Sequence, residues 1–285
     1  MSQPGPSGRR GSLRRAIAVP GDWAVWAGLY ATGVLGLLSW LGNQRPPPAG
    51  WLFVFLCAQA AYLFDRVKLS RSRMDPADAV AQPDRFLALL RHHRAVRTLI
   101  VVELLCASAV GWWIWSPLAL VPAGVAAVIG WYAGRPADPT RPRPKDRAAA
   151  KGLFITAGHI CLAIGPLVST RAGPLWGRLA AGAMVVALVI FGDAVLCDLD
   201  DRHADASYGT MSIPVLAGPR AAWLTAGAAY AFAAVAAFLV VPPVQATCFA
   251  ALLLASAVVA RLLPRRRDFI DARLAVIAAA CLALA

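Results

Sequence analysis

Charge is what this chain lacks. Only 15% of its 285 residues are Asp, Glu, Lys or Arg, against roughly 25% in an average soluble domain. The shortfall is uneven. Charges gather in short clusters separated by apolar stretches of about 17–22 residues, the length of helix that crosses a hydrocarbon core. Period-2 alternation is also missing, and the apolar runs are rich in Ala and Leu, which argues against membrane strands. The six cysteines, Cys57, Cys106, Cys161, Cys197, Cys248 and Cys281, form no CxxC pair and lie in or beside apolar runs. They read as small apolar fillers, not as disulfides or metal ligands. A cleavable signal peptide is not expected either: residues 1–15 are polar and basic, and the run that follows is long enough to be a true span.

What the chain does have is 59% hydrophobic residues and a net charge of +13. Its basic residues lie between apolar runs, where no soluble nucleic-acid module has room to fold, so no nucleic-acid partner is expected. Nine spans are predicted, at 22–42, 49–65, 97–116, 117–134, 151–169, 175–197, 220–241, 244–262 and 268–285. Every second connection is basic, from Arg9, Arg10, Arg14 and Arg15 in the tail to Arg261, Arg265, Arg266 and Arg267 before the last span. The connections between them, such as "GNQRPPPAG" and "STRAGP", are short and nearly neutral. This alternation places the N-terminus and the long loops in the cytoplasm. The expectation is an all-α polytopic protein of a prokaryotic cell membrane, with a disordered basic tail over 1–20 and one nine-helix domain over 21–285. Membrane lipids surround it, and its oligomeric state is open.

Two loops, 66–96 and 198–219, carry seven of the fourteen aspartates. Carboxylates at span ends are costly beside hydrocarbon and so point to function. On a helix continuing from span six, Asp198, Asp201 and Asp205 share one face, while Asp200 points elsewhere. Three hard oxygen donors at that spacing suit Mg²⁺, which binds through a few carboxylates together with phosphate oxygens and water. Gly209 and Pro214 then end the helix and turn the chain back.

The pattern Asp198-x-x-Asp201-x-x-x-Asp205-x-x-x-Gly209-x-x-Ser212-x-Pro214, with Gly218 beyond, resembles the second aspartate-rich motif of the UbiA superfamily of intramembrane prenyltransferases. Ser212 stands where members usually have Thr. The segment "WYAGRPADPTRPRPKDRAAAKG" resembles the family's Tyr-then-Lys loop, through Tyr132, Lys145, Asp146 and Lys151. The first aspartate-rich motif departs from the family. Asp65 and Arg66 match its centre, but Ala61, Tyr62 and Leu69 replace its Asn and two Asp positions, and Asp75 and Asp78 lie further on. Residues 76–94 are expected to form a short amphipathic cytoplasmic helix.

The resemblance implies nine helices around a central cavity and Mg²⁺-dependent transfer of an isoprenyl group from an isoprenyl diphosphate to an aromatic or lipid acceptor. Asp65, Asp198, Asp201 and Asp205 are the implied metal ligands. Asp65, Asp198, Asp201 and Lys145 carry the catalysis. Arg66, Lys68, Lys145, Lys151, Tyr132 and Asp193 are expected to face the diphosphate, Asp193 alternatively the acceptor. Arg73 could add charge where the first motif is weak. Glu103 and His159, deeper in the spans, read as packed polar residues that could touch an acceptor. Two rivals remain. A terpene cyclase on the same scaffold would ionise the same diphosphate without an acceptor. A transporter is disfavoured, because the acidic clusters sit at span ends and no repeat relates the two halves.

Overall fold

The structure is a computed structural model that describes residues 21–136, 138, 140–147, 150–170, 176–263 and 266–284. The tail 1–20, Arg265 and the connection 171–175 lie outside the described residues. Nine long helices are present among them: α1 Val25–Gly42, α2 Pro48–Val67, α5 His93–Ile114, α6 Val121–Ala133, α7 Ala150–Val168, α8 Trp176–Ser207, α9 Ile213–Ala237, α10 Pro243–Leu262 and α11 Arg266–Ala283. They correspond one to one with the nine expected spans. Two short helices, α3 Pro76–Ala81 and α4 Pro83–Arg91, separate α2 from α5. No described residue is in a strand.

Seven of the described helices are long and apolar enough to cross a membrane by length and composition; α9 and α11 fall outside that set. α11 brings Arg266, Arg267, Asp268, Asp271 and Arg273 into an otherwise apolar helix. Within α9, Gly218 at φ 83° and the following Pro219 make a kink, so the span expected from residue 220 has an extra turn in front of it. The single amphipathic helix expected over 76–94 is instead α3 and α4. Pro83 lacks the N–H a continuous helix needs, and Gln82 before it is pushed to φ −144°, ψ 69°.

Burial shows which helices are central. In α1 and α8, 72% and 61% of the apolar window is buried, against 22–44% in the other five membrane-length helices. α1 packs on α2, α7, α8 and α11, and α8 on α7, α9 and α11. The outer helices carry large exposed apolar side chains such as Trp113, Leu105, Leu224 and Val244, the surface a lipid-facing helix requires. Alternating helix direction gathers the C-terminal ends of α2, α6, α8 and α10 with the N-terminal ends of α5, α7, α9 and α11. That polar end holds nearly all the ion pairs.

Candidate active site

α8 runs for 32 residues, well past its apolar section, and carries its acidic turns into the polar end. Asp198, Asp201 and Asp205 are all buried there, and at spacings of three and four they line one helix face. Lys151, in the first turn of α7, reaches in among them. Its Nζ lies 2.7 Å from Asp198 Oδ1, 3.3 Å from Asp205 Oδ2 and 3.8 Å from Asp201 Oδ2. Arg267 of α11 donates from Nη2 to Asp201 Oδ2 at 2.6 Å and to the Cys197 carbonyl at 3.1 Å. Asp200 points elsewhere and pairs with Arg266 at 2.8 Å. α8 is terminated at Gly209, whose φ of 76° suits a residue without Cβ. The Thr210 N–H returns to the Asp205 carbonyl at 2.9 Å.

Across the chamber, Asp65 stands near the end of α2. Lys68 Nζ is 2.6 Å from its Oδ1 and Lys145 Nζ is 3.4 Å from the same atom. Arg66 is committed to Asp78 and leans on Tyr62, with its guanidinium 5.0 Å from the ring centre. Tyr62 also accepts from Arg85 at 2.8 Å.

Lys145 is held in place by a clamp. Its neighbours Arg143 and Asp146 form a two-pronged pair, Nε to Oδ2 at 2.8 Å and Nη2 to Oδ1 at 2.9 Å. Arg143, only 1% exposed, also donates to Asp75 and to the Arg135 carbonyl. Asp146 accepts from Thr210 Oγ1 at 2.8 Å, and its carbonyl accepts from the Met211 N–H. The loop before α7 is thereby tied both to the chain after α2 and to the turn after α8. Burial raises the Asp146 carboxyl, but Arg143 and Thr210 outweigh it and hold it below the usual carboxylate range. Burial likewise opposes the effect of Lys145 and Arg143 on Asp75, which ends up lowered. Lys68, 2% exposed, is pulled below the ordinary lysine value by burial, with Asp65 opposing.

Both clusters line one cavity of about 300 Å³, with Asp65, Tyr132, Lys145, Lys151, Asp198, Asp201 and Asp205 all on its wall. Apolar side chains, including Val125, Val128, Ile129, Ile155, Leu162 and Ile190, make up much of the rest of the wall. Phe154 lies on that wall, stacked on Tyr132 with ring centres 3.9 Å apart and planes 5° from parallel.

The acidic face of α8 has the donor chemistry Mg²⁺ takes. Asp201 Oδ1 is buried without a hydrogen-bond partner, and among the described residues the three carboxylates form ion pairs with Lys151 and Arg267. Among the described residues, no three metal-ligating side chains are drawn together into a preformed cage. That suits an ion that arrives with phosphate oxygens and keeps its waters.

No family model and no curated protein matches the sequence. Solved structures do match. A UbiA homologue from Aeropyrum pernix K1, without ligand, superposes with a TM-score of 0.60 at 16% identity, over 91% of this chain and 98% of its own. A UbiA homologue from Archaeoglobus fulgidus bound to GPP and Mg²⁺ gives a TM-score of 0.57 at 13% identity, over 92% and 99%. The Archaeoglobus fulgidus structure with DMAPP and Mg²⁺ gives 0.54 at 13% identity, over 93% and 99%. The chain has the UbiA fold.

Within the UbiA fold, the structure brings nine of the expected site residues to one cavity wall: Asp65, Arg66, Tyr132, Lys145, Lys151, Asp193, Asp198, Asp201 and Asp205. Lys68 stands just behind, on Asp65. Arg73 lies in an exposed turn, and Glu103 is buried away from the cavity. Asp193 lines the cavity, but both of its oxygens are taken: Tyr30 donates to Oδ2 at 2.9 Å, Tyr230 to Oδ1 at 2.6 Å, and Arg273 to Oδ1. Gly192 makes the Tyr230 contact possible, since a Cβ there would lie 2.6 Å from that ring.

The sequence reading missed Arg143, Arg267, Arg273 and Asp271. The signal for three of them was present: five charges within eight residues at the start of a membrane span demand partners. Asp271 stands apart. Every other aspartate on the cavity wall has a cationic partner, whereas Asp271 makes no hydrogen bond or ion pair among the described residues. His159 shares the wall. Its Nδ1 is 2.8 Å from the Ile155 carbonyl, to which it can only donate, and this leaves Nε2 as the acceptor.

Proposed function

We propose that this chain is a UbiA-superfamily enzyme of the cell membrane, which transfers an isoprenyl group from an isoprenyl diphosphate to an aromatic or lipid acceptor in a Mg²⁺-dependent reaction. The observation that carries this reading is that the acidic face of α8 and the Asp65–Lys145 pair line the same cavity, whose wall continues into apolar side chains. The GPP and Mg²⁺ in the Archaeoglobus fulgidus homologue of the same fold support it. Basic loops on alternate connections support a cytoplasmic mouth.

Asp198, Asp201 and Asp205 are the residues that would hold Mg²⁺, whose charge stabilises the departing diphosphate. Lys145, held by the Arg143–Asp146 clamp, presents its ammonium group to the phosphates from the opposite side, with Lys68 behind it on Asp65. Lys151 has a flexible four-carbon stem, so it can leave the carboxylates and donate to phosphate oxygens when the substrate fills the chamber. The prenyl tail runs along Val125, Val128, Ile155 and Leu162, which exclude water from the allylic cation. Tyr132 and Phe154 offer ring faces to that cation. Asp193 anchors α1, α9 and α11 through Tyr30, Tyr230 and Arg273. Asp271 and His159 Nε2 are acceptors on the apolar side of the wall, away from the α8 carboxylates, and they are suited to a hydroxyl or other hydrogen-bond donor on the second substrate.

The test is product analysis by mass spectrometry. Purified protein is incubated with geranyl, farnesyl and geranylgeranyl diphosphates, with Mg²⁺ or EDTA, and with or without phenolic and long-chain alcohol acceptors. The expected result is a prenylated acceptor that forms only with Mg²⁺. A cyclic hydrocarbon formed without acceptor would assign the chain to the cyclases of this fold. Absence of any Mg²⁺-dependent product would refute the reading.

A further inference from the structure

Six helices wall the cavity, through residues such as Tyr30 of α1, Ala58 of α2, Val128 of α6, Gly158 of α7, Ile190 of α8 and Ile270 of α11. Going round from α6, each packs on the next: α6 on α2, α2 on α1, α1 on α11, α11 on α8 and α8 on α7. The closing pair, α7 and α6, has no packed interface of that kind among the described residues. Other seams are tight. A Cβ on Gly33 of α1 would lie 2.7 Å from the Ala275 nitrogen of α11, and one on Gly152 of α7 would lie 3.4 Å from the Phe191 ring of α8.

The α6–α7 seam is pinned at its two ends. At the polar end Tyr132 stacks on Phe154 at 3.9 Å, Trp131 lies 6.3 Å from the same ring, and the turn Pro144–Asp146 packs on both helices. At the far end Leu118, just before α6, meets α7: a Cβ on Gly165 would lie 2.9 Å from its Cδ2. Residues three and four apart share a helix face, so the α7 face toward α6 reads Phe154, Gly158, Cys161 and Gly165. Between the pins the seam is open. A Cβ on Gly158, or on Gly124 of α6, would meet no atom within 4 Å. Cys161 is exposed, and Val128 is 45% exposed although it lines the cavity. Protein interiors are close-packed, so a gap of this size in a wall is an opening and not core. Below, the cavity is shut, since a Cβ on Gly50 of α2 would lie 2.9 Å from Pro166 Cβ of α7. The exposed apolar side chains of Trp131 and Leu153 on the outer rim face the bilayer. Inside the gap, His159 follows Gly158, sets its ring edge-on to Tyr30 at 5.2 Å and keeps Nε2 as an acceptor.

We propose that the gap between α6 and α7 is the entrance for the acceptor from the bilayer, and that the acceptor is a membrane-dissolved lipid with a hydrogen-bond donor on its head. The lipid enters past Gly124 and Gly158, its donor meets His159 Nε2, and its apolar body stays between the two helices. The inference rests on the prenyl-transfer reading and narrows its acceptor to one class, because a water-soluble aromatic needs no opening at the depth of the hydrocarbon.

The experiment uses the full-length chain in phosphatidylcholine vesicles with geranyl diphosphate and Mg²⁺. Two phenols serve as probes: pentadecylphenol, which dissolves in the bilayer, and p-cresol, which arrives from water. The wild type is expected to prenylate pentadecylphenol at least tenfold faster than p-cresol at equal total concentration. Gly158→Trp, which fills the gap, should lower that ratio at least tenfold. Gly227→Trp, on α9, where a Cβ also meets no atom within 4 Å, should leave it within twofold. A bulky residue can disturb folding, so Gly124→Cys is also joined to the native Cys161 by a short cleavable bis-methanethiosulfonate. Joining should lower the ratio at least tenfold, and reduction should restore it. An unchanged ratio in both blocked forms, or a wild-type preference for p-cresol, would overturn the inference and leave the prenyl-transfer reading standing. Absence of any Mg²⁺-dependent consumption of geranyl diphosphate by the wild type would remove that reading and this inference with it.

Discussion

Lys151 Nζ sits 2.7 Å from Asp198 Oδ1 and within 4 Å of carboxylate oxygens from Asp201 and Asp205. Three buried carboxylates on one helix face repel one another, and this ammonium, together with Arg267 on Asp201, offsets that repulsion. Lys151→Met should therefore destabilise the protein in EDTA by about 3–5 kcal/mol, the cost of leaving a buried charge unpaired. Mg²⁺ should restore more stability to the variant than to the wild type, because it takes the vacated place and binding to the folded state stabilises it. Thermal unfolding in detergent, with EDTA and with Mg²⁺, checks both parts; equal Mg²⁺ effects on the two proteins would count against a shared seat.

Asp193 and Arg273 form a buried pair closed by Tyr30 and Tyr230. The account assigns it to holding the helices together. Asp193→Leu should cost about 3–5 kcal/mol of stability, while the affinity for geranyl S-thiolodiphosphate below the melting temperature stays within twofold. A tenfold loss of probe affinity in a folded Asp193→Leu protein would put this carboxylate at the diphosphate after all.

The Arg143 clamp gives a pH dependence whose sign follows from its carboxylates. Asp75 and Asp146 are held below their ordinary values in the folded protein. Their contribution is therefore complete above the unfolded carboxylate pKa of about 3.9 and is lost as pH falls through the lower folded values. Melting temperatures should drop as pH is taken below about 4, and Arg143→Leu, already lacking the clamp, should show a shallower drop. Parallel acid profiles for the two proteins would show that the clamp does not carry the effect.

Asp271 is the cavity carboxylate with no hydrogen bond or ion pair among the described residues, and the proposed function assigns it to the second substrate. Asp271→Leu should leave probe binding within twofold of wild type and lower transfer to a phenolic acceptor at least tenfold, mainly through the acceptor's KM. Steady-state kinetics with donor and acceptor varied separately make the distinction; unchanged acceptor KM and rate would free Asp271 of this role.

Much of this arrangement could be read from the sequence, and for identifiable reasons. The nine helices followed from the length of the apolar runs, since membrane-spanning helices depend on few other features. The shared face of Asp198, Asp201 and Asp205 followed from helical spacing within one element. Contacts between elements were less legible. Nothing in the spacing of Arg143, Asp75 and Thr210 tells that one loop clamps two distant turns. Arg267 and Arg273 were read as loop charges and span residues, because charge at a helix start looks alike whether it meets lipid headgroups or a buried aspartate. The break between α3 and α4 was marked by Pro83, and the amphipathic pattern around it hid the interruption.

The central claim is that the α8 carboxylates act on a prenyl diphosphate inside the membrane domain. Its most direct measurement is Mg²⁺-dependent release of diphosphate from geranyl diphosphate by the wild type beside Asp198→Asn and Asp201→Asn, each first shown to keep a cooperative melting transition. The account predicts release by the wild type, none in EDTA, and at least a hundredfold reduction in either folded variant. Release at wild-type rates from both variants would contradict it.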